Sequence, residues 1–255
     1  MAYHENPQPF LLSMACIGLP AMLCFAWLRS TQDTLHRLDG FLLVVATWAT
    51  LCFCATLPFY WAWPNAPLID IAFEAVSGLT TTGAEAFQNV EQWSYSLQFY
   101  HQYLQFLGGL GIIVLGLAIM PLLSQTGSAL FAAEVPGPTK DQKFTPRLQE
   151  MATLLWRLYV GLTALCCLGY HWAGLSWFEA CCYAFSTVST GGFGIHANNI
   201  GHYHNGLVLG LATLFMLCGS MNFGLHVLVV RQRSLSPLRH QPELKTFLKW
   251  TIGTI

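Results

Sequence analysis

Charge is what this sequence has least of. Only 9% of its 255 residues are Asp, Glu, Lys or Arg, while 54% are apolar; a soluble domain carries about a quarter charged residues. A water-facing enzyme surface and a disordered, solvating chain are both excluded by that balance. The net charge is −1 and no basic cluster occurs, so there is no electrostatic footprint for nucleic acid. A phosphate-cradling Gly-x-x-x-x-Gly-Lys loop, a His-Glu-x-x-His pair and a hydrolase order of Ser, His and Asp are all missing, so none of those enzyme classes has a candidate. Met1 to Pro9 contain no Lys or Arg, which rules out the charged start of a signal peptide. Cys16, Cys24, Cys52, Cys54, Cys166, Cys167, Cys181, Cys182 and Cys218 form no Cys-x-x-Cys pattern. They read as small buried hydrophobes rather than metal ligands or disulfides.

What the chain does have is long apolar runs. Phe10–Leu28, Gly40–Trp61, Leu97–Ser124, Leu154–Ala173 and Leu207–Val230 each approach or exceed the ~20 residues that cross a bilayer as a helix. Phe59, Tyr60, Trp61 and Trp63 cluster where an interfacial aromatic belt belongs. The final stretch, Phe247 to Ile255, turns apolar again and reads as the start of a sixth span cut short. Basic residues set the orientation. Arg29 and Arg37, then Lys140, Lys143 and Arg147, then Arg231, Arg233, Arg239 and Lys245 fall in alternate connections, while residues 62–96 and 174–206 contain no Lys or Arg. By the positive-inside rule the basic connections face the cytoplasm and the uncharged ones face outward. Arg157, inside a span, lies near enough to the cytoplasmic end to snorkel.

Between the second and third spans lies a shorter apolar segment, Asp70 to Leu79, too short at ~1.5 Å per residue to cross ~30 Å of hydrocarbon. Both flanking spans must end outside, so this segment enters and leaves from the same face. It stops at Thr80-Thr81-Thr82-Gly83, a run suited to neither helix interior nor lipid. On its own the run fits an ordinary external turn equally well. The device recurs, however: Glu179 stands thirteen residues before Gly192 just as Asp70 stands before Gly83, Ser186 matches Ser77, and Ser189-Thr190-Gly191-Gly192 matches the Thr run. Irregular backbone at membrane depth survives only where protein or a watery cavity encloses it, and main-chain carbonyls there can replace the water of a dehydrated cation. The hydroxyls of these turns either hold the turn or offer oxygen.

Other residues carry two readings each. Glu74, inside the first short segment, is a functional carboxylate or one tied to nearby backbone N–H groups to hold the turn. Asn222 and Ser220 interrupt the fifth span, bonding a neighbouring helix or lining a path. Gly108, Gly109, Gly111 and Gly116 permit close helix approach or hinging. His196, His202 and His204 give a weak metal signal, and His202, His204 and Glu179 are the residues a membrane enzyme would use.

Five segments carry a resemblance: Phe73-Glu74 with Ser77 to Ala84, Gln105 to Leu115, Ala133 to Pro138, Gly191-Gly192-Phe193, and Asn222 to His226. With these the chain resembles the TrkH-type potassium transporters of the Trk/Ktr/HKT superfamily. The resemblance implies an all-α integral membrane fold of repeated span–re-entrant pore helix–span units, potassium-channel-like. Two complete units and the start of a third are expected here. The expected division is 1–39 as N-terminal helix and cytoplasmic loop, 40–124 as the first unit, 125–149 as a cytoplasmic loop, 150–233 as the second unit, and 234–255 as a loop and the start of a truncated third unit. It also implies potassium uptake through a selectivity filter of Thr80, Thr81, Thr82, Gly83, Ser189, Thr190, Gly191 and Gly192, with Glu74 and Asn222 in support. No catalysis and no cofactor beyond the transported potassium ion are implied. Further implications are a bacterial inner-membrane location in the lipid bilayer, a homodimer when full length, and a TrkA-type cytosolic nucleotide-binding regulatory subunit. The alternative is a two-repeat pore subunit that pairs with a second copy.

Overall fold

The computed structural model describes residues 6–28, 37–111, 144–234, 236 and 241–253. Among these there is no β-strand. In chain order the helices are α1 (Gln8–Leu28), α2 (Arg37–Ala62), α3 (Leu68–Leu79), α4 (residues 95–111), α5 (Phe144–Trp172), α6 (Trp177–Val188), α7 (Gly206–Ser220), α8 (Phe223–Gln232) and α9 (Pro242–Gly253). Two short 3₁₀ turns, Val90–Gln92 and Asn199–Tyr203, sit in the connections after α3 and α6.

Gln8–Trp27, Leu42–Ala62 and Ala152–Trp172 are long and apolar enough to cross a membrane, and α7 with α8 would make a fourth crossing if taken as one bent span. Their outer faces stay apolar: Met22, Phe25 and Trp27 are 71%, 70% and 82% exposed. A helix that is hydrophobic all round yet uncovered by protein is matched to lipid. Two cores lie between the long helices. In the first, Phe59 of α2 and Leu104 of α4 enclose Ile71, Ala75 and Leu79 of α3; in the second, Tyr159 and Tyr170 of α5 and Val208 of α7 enclose Ala180, Ala184 and Val188 of α6. Each short helix is therefore the filling of a helical sandwich.

Two boundaries differ from expectation. Helix α5 takes in residues 144–149 of the expected loop 125–149, with Pro146 near its described start, where a missing N–H is best tolerated. The expected fifth span is broken: α7 and α8 meet at a 94° bend. Met221 is extended (φ −72°, ψ 151°), and Asn222 restarts the helix as its N-cap, accepting from Gly224 N–H at 2.9 Å. His226 Nε2 reaches back 3.0 Å to the carbonyl of Cys218, serving one of the acceptors that the break frees. The expected continuation of the third span over 112–124 with Gly116, the 133–138 motif, and Arg29, Lys140, Lys143 and Arg239 lie outside the described residues.

Candidate functional site

The site is built from the ends of the two short helices. Both have an acidic residue in the first turn, Asp70 in α3 and Glu179 in α6, where the partial positive charge of the helix start favours it. Glu179 completes a capping box: its Oε2 accepts from Ser176 N–H at 2.9 Å, and Ser176 Oγ accepts from Glu179 N–H at 3.3 Å. Helix α3 starts after Pro67 without a side-chain cap.

Their C-terminal ends are alike bond for bond. In the first, Thr80 N–H donates to Val76, Thr81 N–H to Gly78 and Thr82 N–H to Ser77; in the second, Ser189 N–H donates to Phe185, Thr190 N–H to Thr187 and Gly191 N–H to Ser186. This is the Schellman closure, with a six-to-one bond outside a five-to-two bond around a left-handed residue. Glycine usually occupies that left-handed position. Here Thr81 (φ 55°) and Thr190 (φ 54°) occupy it, a β-branched conformation that costs on the order of 1–3 kcal/mol and persists only where the surroundings impose it. Two residues later the chain turns left-handed again, at Gly83 (φ 71°) and Gly192 (φ 89°).

Side chains fix both turns from below. Ser77 Oγ accepts from Ala84 N–H at 2.8 Å, and Ser186 Oγ accepts from Gly192 N–H at 3.1 Å. Thr80 and Thr82 share a hydroxyl–hydroxyl bond of 2.8 Å, and Thr80 Oγ1 also donates to Val76. Glu74 is fully buried; its Oε2 accepts from Ala86 N–H at 2.7 Å and Phe87 N–H at 3.3 Å, while Oε1 lies 2.7 Å from His101 Nε2 by distance, without hydrogen-bond geometry. The carboxylate thus holds the chain leaving the first turn. Among the described residues no hydrogen bond reaches the carbonyls of Thr80, Thr81, Thr82, Gly83, Thr190 or Gly191, whereas Thr190 Oγ1 donates to Ser189 and Asn199 Nδ2 donates to Gly192 at 2.7 Å.

The two turns meet. A Cβ on Gly83 would run into the carbonyl oxygen of Gly191, and one on Gly191 would run into the Gln105 amide. Glycines of the following helices seat the short ones. A Cβ at Gly108 would strike the Leu79 carbonyl and one at Gly219 the Val188 carbonyl, while one at Gly109 would lie 2.6 Å from Tyr159 Oη. Phe193, just past the second turn, is buried and stacks on His101 at 3.7 Å, which locks that turn into the first core.

The structure sets Gly83 of the first turn against Gly191 and Gly192 of the second, ties Glu74 to the chain leaving the first turn, and makes Asn222 the N-cap of α8. Gly219, Gln105, Asn199 and Tyr159 were not legible as parts of the site. Gln105 carried a signal only as the first residue of a segment bearing the resemblance, before a Gly-Gly run; the others act through contacts that no local pattern encodes.

At the centre of this all-helical protein the main-chain groups of two helix ends meet, with the buried polar side chains of Glu74 and Gln105 against them. The TrkH family profile, described as cation transport protein, matches residues 7–252, and the chain belongs to that family. It is 36% identical over 249 residues to the Trk system potassium uptake protein TrkH of Halomonas elongata, covering 97% of this chain and 52% of that protein. It is 39% identical over 221 residues to TrkH of Escherichia coli K12, covering 86% of this chain and 46% of that protein. The crystal structure of the potassium transporter TrkH from Vibrio parahaemolyticus superposes with a TM-score of 0.80 at 31% identity, covering 96% of this chain and 50% of that one. The chain spans about half the length of these relatives.

Proposed function

We propose that this chain contributes half of a potassium-selective path, with the carbonyls of Thr80 to Gly83 and Ser189 to Gly192 as filter ligands. One observation carries the reading: two turns closed by the same three main-chain hydrogen bonds abut, and most of their carbonyls are left without a donor among the described residues. Potassium must shed water to pass, and numerous weak carbonyl ligands replace that water without trapping the ion. The C-terminal ends of α3 and α6 add partial negative charge at the same place. The alternation of positive φ along each turn, at residues 81 and 83 and at 190 and 192 but not at 82 or 191, aligns peptide units that a regular strand would point to opposite sides. Gly192 has one carbonyl lone pair engaged by Asn199, so its larger part is in shaping the turn.

In this reading α2–α3–α4 and α5–α6–α7 are span–re-entrant helix–span units covering 40–124 and 150–233. The short helices enter from outside, and the basic connections face the cytoplasm of a bacterial inner membrane. Two turns enclose only half of an ion. The remaining ligands come from further units in the same chain or, alternatively, from a second copy. A TrkA-type cytosolic subunit and a full-length homodimer fit the same reading.

The test is Rb⁺ uptake into proteoliposomes with K⁺ or Na⁺ as competitor, comparing this chain with a version carrying further family repeats. K⁺-selective flux that Gly83→Ala abolishes supports the filter. Wild-type K⁺ over Na⁺ discrimination in both Gly83→Ala and Gly192→Ala refutes it. Flux from the short chain that rises with the square of its density favours the paired subunit.

A further inference from the structure

A cluster of polar side chains in the two connections that follow the turns is not used by an ion path built of carbonyls. There Glu91 of the first 3₁₀ turn meets His196 and His202, the latter in the second 3₁₀ turn, across more than a hundred residues of chain. We propose that Glu91, His196 and His202 form a binding site for a first-row divalent transition metal of the zinc class, clipping the connection after α3 to the connection after α6.

The ligand atoms of the three residues lie within 4.8 Å of one another. Four ligands at the ~2.0–2.2 Å typical of zinc stand about 3.4 Å apart at the corners of a tetrahedron. Glu91 Oε1 and His196 Nδ1 already stand 3.5 Å apart. The rings of His196 and His202 are stacked at 3.9 Å and tilted by only 10°, so metal binding requires His202, which is exposed, to swing out of the stack and aim a ring nitrogen at the ion. The donor set chooses the metal: two imidazoles and one carboxylate suit zinc, nickel or copper, whereas calcium and magnesium require oxygen.

The outer contacts are those a metal site uses to aim its ligands. With Nδ1 of His196 turned to Glu91, its Nε2 faces Glu179 Oε1 at 3.5 Å, and Glu179 is itself pinned by the capping box at the start of α6. A carboxylate behind a ligating imidazole fixes its tautomer and orientation. Glu91 Oε1 is oriented by Ala197 N–H at 2.9 Å. His196 and Glu91 side chains are 21% and 48% exposed, open enough for entry and for a solvent molecule to complete the coordination. The same connection carries Asn199, the donor to the Gly192 carbonyl, so the clip would steady the segment that holds the second turn. His204 is outside the cluster.

The experiment is titration of the purified chain in detergent with Zn²⁺ by calorimetry and with Co²⁺ by visible absorption, after metal removal with chelator. One Zn²⁺ per chain is expected, together with a weak ligand-field Co²⁺ spectrum lacking an intense thiolate charge-transfer band. His202→Gln and Glu91→Gln are expected to weaken binding at least tenfold, Glu179→Gln about tenfold as an orienting group, and His204→Ala to leave it unchanged; each variant is first shown to elute as wild type does. Zn²⁺ affinity unaltered by both His202→Gln and Glu91→Gln would overturn the site. So would a thiolate-dominated Co²⁺ spectrum, which assigns the metal to cysteines, or displacement of Zn²⁺ by millimolar Ca²⁺ or Mg²⁺.

Discussion

Gly83 and Gly192 occupy matching places in matching turns, yet replacing each with alanine should cost very different amounts. Both are left-handed, at φ 71° and 89°, and an L-residue there loses about 1–2 kcal/mol. The surroundings differ. A Cβ on Gly83 meets the main-chain oxygen of Gly191, which cannot rotate aside, while a Cβ on Gly192 has nothing within 4 Å. Forcing a methyl against fixed backbone adds about 1–3 kcal/mol, so Gly83→Ala should cost roughly 2–5 kcal/mol and Gly192→Ala only the conformational ~1–2 kcal/mol. At ~2–4 °C per kcal/mol for a chain of this size, the two melting temperatures should stand roughly 2–12 °C apart, with Gly83→Ala the lower. The assay is thermal unfolding of both variants in one detergent, one potassium concentration and one scan rate, followed by tryptophan fluorescence. If Gly192→Ala melts at or below Gly83→Ala, the two turns do not abut as described, and the geometry behind the proposed ion path is wrong.

Gly219→Ala should destabilise by about 1–3 kcal/mol, because its Cβ strikes the Val188 carbonyl; Gly210→Ala in the same helix meets nothing within 4 Å and should be neutral or stabilising by up to ~1 kcal/mol, measured by the same melts. Glu74→Ala leaves the Ala86 and Phe87 N–H groups without their buried acceptor and should cost about 3 kcal/mol or more, while Glu74→Gln keeps an acceptor oxygen and should cost less; equal losses would mean the carboxylate does not hold the turn. Thr81→Gly relieves a left-handed β-branched residue and should leave the melting temperature equal or higher, whereas a clear drop would mean the Thr81 side chain stabilises the turn more than its strain costs. The Ala197 N–H holds the Glu91 carboxyl below the usual carboxylate range. A lowered folded pKa gives stability that is present above the ordinary Glu value of ~4.3 and is lost as pH falls through the folded value. In chelator, hydrogen exchange at the Ala197 amide should therefore accelerate, relative to neighbouring amides, only below about pH 4.3, and Glu91→Gln should remove that step.

Several features were legible without the fold because they depend on composition and local spacing. Low charge and long apolar runs demand lipid whatever the tertiary arrangement. Segments too short to span, each opening on a carboxylate and ending in a Thr- and Gly-rich turn, announced both α3 and α6, and their thirteen-residue register survives as identical main-chain bonds at the two C-terminal ends. Gly108 and Gly109 stood out in a Gly-rich run, and the structure makes them seats for backbone. Other features needed the third dimension. The fifth apolar run reads as one helix, because hydropathy does not register that Asn222 caps a new helix and that His226 bonds back across the break. Gly219 looks like any helical glycine until the Val188 carbonyl is brought against it. The histidines after the second turn are scattered polar residues until folding sets Glu91 beside them from the other half of the chain. Periodicity, capping and turn chemistry are properties of neighbours in sequence, and the amino-acid sequence alone determined them. Which carbonyl faces which glycine, and which carboxylate faces which imidazole, are distances between remote segments, and only the packing of the two helical sandwiches decided them.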